Sequence, residues 1–199
     1  MMPTGSRRPT DAVSVVDVDG ANRLDLRLIF PIGHRVDQRR VRRGATVHEL
    51  TEQQLGTWVG AYGSPDAAPD TELIGMGLLA EVTPGTDEAL GFARTHRLVP
   101  LMLGLGNAVD DPSMFEIGFR GQAFVQVNPT IYDLWHWSAM DDTLWATCQS
   151  AADVASRSTG VDTDPGALLD TLLGSLHLLL ARNAACLDID FRLGLPKAA

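Results

Sequence analysis

Apolar and polar residues alternate strictly over 23–28, the pattern of a half-buried strand. A β-branched run over 13–18 precedes it, and Asp19-Gly20-Ala21-Asn22 supplies turn residues between them, so the pattern predicts a hairpin of 13–18 with 23–30. A short strand is expected over 45–50. A helix over 52–62 follows, with Leu55, Trp58, Val59 and Tyr62 on one face. A second helix over about 70–76 ends at Gly77, a left-handed C-terminal cap, and a strand follows over 78–82. Thr86 caps a short helix, and 98–105 is apolar enough to pack between neighbouring elements. A second hairpin, 115–119 with 123–127, turns at Arg120-Gly121. Helices are expected over 129–140, 143–158 and 165–182, the last opened by Asp164-Pro165 and ended at Asn183. An alternating strand over 187–191 closes the pattern.

One stretch occurs twice. RGATVHELTEQQLGTW (43–58) and RGQAFVQVNPTIYDLW (120–135) align without a gap, with Arg-Gly and the final Trp identical. Each reads as a β-prone run, an N-cap (Thr51, Asn128) and a helix carrying a Trp. The expected organisation is therefore α+β: a disordered tail over 1–12, a first module over 13–82, a linker with a short helix over 83–113, and a longer second module over 114–192. Trp58 and Trp135 are expected in equivalent core positions.

Charge narrows the partners. The net charge is −9, but residues 1–60 carry nine Arg against seven acids, while the rest is strongly acidic. An acidic body repels phosphate and disfavours DNA. The one basic cluster, Arg35, Arg39, Arg40, Arg42 and Arg43, is either a patch for an anionic partner or a solvated loop. No apolar run is long enough for a membrane span, and residues 1–12 lack a signal-peptide core, so a cytoplasmic protein with no membrane partner is expected. Cys148 and Cys186 read as buried free thiols.

Catalytic chemistry finds no support in the pattern. The five histidines lie on separate elements with no zinc spacing, and no metal or cofactor is expected. Asp17-Val18-Asp19-Gly20 lacks the further oxygen ligands of a calcium loop, and 103–107 lacks the third glycine of a dinucleotide site. His136 between Trp135 and Trp137 could line a small-ligand pocket, but core packing accounts for both indoles.

The order hairpin, three helices, strand over 115–191 resembles a winged-helix domain. Such domains serve DNA-binding regulators and the PqqD-like modules that recognise precursor peptides; residues 13–82 follow the same order more faintly. The second resemblance implies that a peptide adds a strand to the hairpin edge and packs beside the third helix. On this chain that gives Phe115, Ile117, Phe119, Leu176 and Leu180 as groove candidates. The first resemblance implies a helix reading the major groove. There, 143–158 offers only Gln149 and Arg157 and the third helix only Arg182, so DNA contact would fall to Arg35–Arg43 and the first module. The resulting expectation is a non-catalytic adaptor for a peptide or protein, with a DNA-binding transcription regulator as the alternative.

The third helix carries leucines all round: 168, 169, 172, 173, 176, 178, 179 and 180. Two arrangements cover them: packing against 98–105, or pairing with a second copy through Leu172, Leu178 and Leu179. The dimer is preferred because the 98–105 run is short.

Overall fold

The computed structural model describes residues 27–190, so the tail, the 13–18 strand and its turn lie outside the described residues. The fold is mixed α+β with small antiparallel sheets. Strand β1 (Leu28–Pro31) enters a corner at Ile32. Then come β2 (His34–Arg35), β3 (Arg40–Arg43) and β4 (Thr46–Glu49), a three-stranded sheet with β3 central. Helices α1 (Glu52–Gly60) and α2 (Thr71–Gly75) follow, and β5 (Leu79–Val82) returns to pair with β1. After α3 (Asp87–Ala93) a similar order follows, with one helix more. Strand β6 (His96–Pro100) precedes the sheet β7 (Leu103–Asn107), β8 (Phe115–Phe119) and β9 (Gln122–Val127). Helices α4 (Pro129–Trp137), α5 (Leu144–Thr159) and α6 (Pro165–Leu180) come next, and β10 (Ala185–Ile189) pairs back with β6.

Local chemistry sets the helix ends. Thr51 and Gln54 form a reciprocal capping box on α1, and the Asn128 side chain accepts the Ile131 N–H with Pro129 in the first turn of α4. Asp164 caps α6 ahead of Pro165. At the last turns of α2 and α6, Leu78 N–H bonds Leu73 O at 2.8 Å and Ala184 N–H bonds Leu179 O at 2.9 Å. Gly77 (φ 69°) and Asn183 (φ 53°) take the left-handed conformation that these endings need. Beyond them the chain meets the strand pair in matching ways: Pro31 lies opposite Leu79 and Pro100 opposite Ala185. Ile32 N–H donates to Leu78 O at 2.8 Å, and Leu101 N–H to Ala184 O at 3.0 Å.

Helix α6 is the spine of the larger core. Leu169, Leu172, Leu173, Leu176, Leu179 and Leu180 are buried among α4, α5, β6 and β10, together with Phe30 and Ile32 of the first half. His177 reaches the other way: its Nε2 lies 2.9 Å from Ile29 O and its ring stacks on Phe30 at 4.8 Å. Six of the eight leucines thus find cover within the chain. Leu172 and Leu179 have no exposed surface and cannot form a dimer interface; Leu178, 39% exposed, is the one dimer candidate at the surface.

Several elements differ from the pattern-based expectations. The described part of 23–30 pairs with β5, and Ile29 and Phe30 are both buried; the partner expected at 13–18 lies outside the described residues. The basic stretch contains two strands, hidden from a periodicity reading because Val41 is the only buried residue in β3. The 83–113 segment is more than a linker: β6 and β7 join β10 and β8. On α1, Val59 is 47% exposed and off the buried face. The gapless alignment of 43–58 with 120–135 slips by one at its start. Arg43 pairs with Thr46, whereas Phe119, not Arg120, pairs with Gln122. The extra residue is Phe124, a β-bulge where Ile117 faces Val125 and Gly118 faces Ala123.

Candidate functional site

Strand β8 is the centre of its sheet, so among the described residues the edges belong to β7 and β9. Beside β7 lies a cleft of about 350 Å³, lined by Pro100, Met102, Leu103 and Gly104 on one side and by Trp135, His136, Ala139 and Met140 on the other. The lining is predominantly apolar, as small-ligand and side-chain pockets are. Its floor is fixed by hydrogen bonds. Trp135 is buried, and its Nε1–H donates to Ala184 O at 3.0 Å, the same carbonyl that Leu101 N–H uses. Ser138 Oγ donates to Trp135 O at 2.6 Å and ends α4. Tyr132 stacks between Phe115 (4.6 Å) and His136 (6.1 Å). Its hydroxyl leaves no room for a side chain at Gly104, which explains a glycine in the middle of an edge strand. The rim is open: Leu103 is 61% and Met140 72% exposed.

The corresponding corner of the first half is filled. Trp58 Nε1–H donates to Ile32 O at 3.2 Å. Tyr62 meets the Trp58 ring edge-on at 5.0 Å, and its hydroxyl donates to Gly33 O at 3.1 Å. Burial raises the Tyr62 phenol far above its ordinary value, so it stays neutral and a donor.

The basic candidates do not converge on one patch. Arg35 folds back onto the Asp37 and Gln38 carbonyls, Arg40 pairs with Asp37, and Arg39 lies 3.6 Å from Glu49. Asp37 is held below the usual carboxylate range by the Arg40 side chain. Arg42 Nε donates to His34 Nε2 at 3.1 Å. Arg43 turns inward, its guanidinium against Gly77 at the end of α2.

The groove candidates scatter similarly. Ile117, Leu176 and Leu180 are fully buried and line no groove; their apolar character is core packing. Phe115 is engaged by Tyr132, and only Phe119 is exposed, with the Arg120 guanidinium 5.3 Å from its ring centre. Both cysteines are buried free thiols, with burial pushing Cys148 up to about 12 and Cys186 up to about 11, which makes them inert. His96 stacks on Phe92 at 4.2 Å, its Nδ1 3.0 Å from Phe92 O, and burial pushes it down to about 4. His177 is lowered by burial, against the hydrogen bond to Ile29. His48 is lowered by burial and by Arg43.

The sequence reading missed Met102, Leu103, Gly104, Ala139 and Met140. One signal was available. Continued past Trp58 and Trp135, the same alignment sets Tyr62 against Ala139, a large residue opposite a small one. Among the described residues no helix is long and apolar enough to cross a membrane. No protein-family model, curated protein or solved structure matches this chain.

Proposed function

We propose that the chain is a non-catalytic adaptor built from two winged-helix-like modules, and that its second module binds a partner peptide at β7. One observation carries the reading: an open apolar cleft whose wall is an edge strand. No strand among the described residues pairs with the outer side of β7. A peptide added there would gain main-chain hydrogen bonds from the strand and bury an apolar side chain in the cleft. The matched helix endings and strand pairings support the two-module view, although the two indoles bond to opposite strands of the pair, Ile32 and Ala184. A DNA-binding role is less well supported. Of the five arginines, two face nearby carboxylates and one lies against Gly77, and the net charge of the chain is −9.

The test is selection of strand-length random peptides on the immobilised protein, followed by amide hydrogen exchange. Selected peptides should slow exchange over 103–107 and lose affinity for Leu103→Asp, an exposed position whose change spares the core. Peptides that protect other segments and bind Leu103→Asp equally well would overturn the site. Filter binding at about 50 mM salt should detect no DNA complex.

A further inference from the structure

The two corners differ in one occupant and in the carbonyl that each indole meets, Ile32 O for Trp58 and Ala184 O for Trp135. Tyr62 and Ala139 sit at the same point after their helices. Tyr62 N–H bonds Val59 O at 3.1 Å and Ala139 N–H bonds His136 O at 3.3 Å, and in the next residues Gly63 bonds Gly60 and Met140 bonds Trp137. Thr51 and Asn128, whose dihedral angles agree closely, cap those helices at the same sequence distance upstream. In the first half the Tyr62 ring fills the space between the Trp58 indole and the Ile32–Gly33 corner. In the second half the space between Trp135 and the stretch of Pro100, Met102, Leu103 and Gly104 is the open cleft, and the residue at the Tyr62 position is an alanine on its wall.

We infer that the cleft takes an aromatic side chain, a tyrosine of the partner peptide, in the place that Tyr62 occupies in the first half. This rests on the peptide-binding reading above. The phenol lies edge-on to Trp135, and its hydroxyl donates to the Met102 carbonyl, the counterpart of Gly33 O. An edge-on contact suits ring quadrupoles, and the thioethers of Met102 and Met140 adapt to an aryl face. An aliphatic side chain gains neither the edge contact nor the hydroxyl bond.

The probe is N-acetyl-tyrosinamide, titrated into the full chain while the methionine methyl resonances are followed. Met102 and Met140 methyls should shift saturably with a millimolar dissociation constant, about tenfold tighter than with N-acetyl-leucinamide. Ala139→Tyr should plug the cleft from within, as Tyr62 does, and abolish the shifts; Val161→Tyr, at an exposed position away from the cleft, should keep them. Position 139 is exposed, so a folding defect is not expected, and a circular dichroism spectrum checks it. Equal binding of the leucine analogue, or binding unchanged in Ala139→Tyr, would overturn the inference. The two failures are separable. Selected peptides that protect β7 but share no aromatic residue sink the aromatic pocket and leave the peptide site. Tyrosinamide binding with no peptide protecting β7 does the reverse.

Discussion

Acidification should destabilise the protein well above the pH at which its carboxylates titrate. His96 is the main cause. Its ring is packed on Phe92, and its folded value, about 4, lies below the ordinary 6.5 because burial disfavours the charged form; Arg43 adds to this, while the Phe92 carbonyl and Asp188 oppose it. Between these values the unfolded chain binds a proton that the folded chain does not, so stability rises with pH. The contribution is complete above about 6.5 and is lost as pH falls toward 4. A displacement of about 2.5 units at 1.36 kcal/mol each makes the loss about 3 kcal/mol, a large share of a typical folding free energy. His177 and His48 are lowered too and act in the same direction. The assay is urea unfolding at pH values between about 7 and about 4.5, for the natural chain and for His96→Phe. Phenylalanine keeps the stacking on Phe92 but cannot take a proton. Removing the Phe92 hydrogen bond lowers its stability at neutral pH by about 1 kcal/mol, and its pH slope should be much shallower. A natural chain with flat stability across this window, or a His96→Phe variant with the full slope, would refute the reasoning.

Two further substitutions probe the packing. Trp135→Phe removes the donor to Ala184 O from a buried site and should cost about 1–3 kcal/mol by urea unfolding, with Leu101 N–H still holding that carbonyl. Leu172→Ala should cost about 2–5 kcal/mol, whereas Leu178→Ala, on the exposed side of the same helix, should cost less than about 1 kcal/mol; similar costs at the two sites would contradict the burial of α6 described above.

What could be read from the sequence was whatever leaves a local chemical mark. Thr51, Asn128, Thr86 and Asp164 announce helix starts because a side-chain oxygen must meet orphan N–H groups, and each does so. Gly77 and Asn183 announce helix ends for the corresponding reason. Strands β2, β3 and β7 leave weaker marks. Arg40-Val41-Arg42-Arg43 has one buried side chain, and Leu103-Gly104-Leu105-Gly106-Asn107 sets glycines, which disfavour strands, between its two leucines and after them. The pairing of β6 with β10 is long-range, and no local pattern encodes it. The wide leucine face of α6 was visible, but its partners were not: a helix buried on several sides and a helix paired with a second copy present the same sequence.

A pocket at Trp135 and His136 yields to core packing in the sequence because the cleft is defined by what is absent. Ala139 carries no chemical signature, and its meaning comes only from Tyr62 at the matching place. The two halves can differ there because their cores differ. The first half packs around a small cluster of Ile29, Val41, Leu50, Trp58, Ala61, Leu73, Leu78 and Leu79, with Tyr62 against it and only the short α2 as a second helix. Removing the Tyr62 ring there would uncover Trp58 and leave the Gly33 carbonyl without its donor. The second half has the full lengths of α5 and α6, whose buried leucines hold the sheet and α4 together without any residue in the Ala139 position. An open apolar space costs stability in any core, and the larger core of the second half offsets that cost. Tyr62 also packs against the core built on α6, so the corners differ in how much each depends on its ring: the first would lose the cover of Trp58 and a donor to Gly33 O, whereas the second holds no ring at Ala139 to lose.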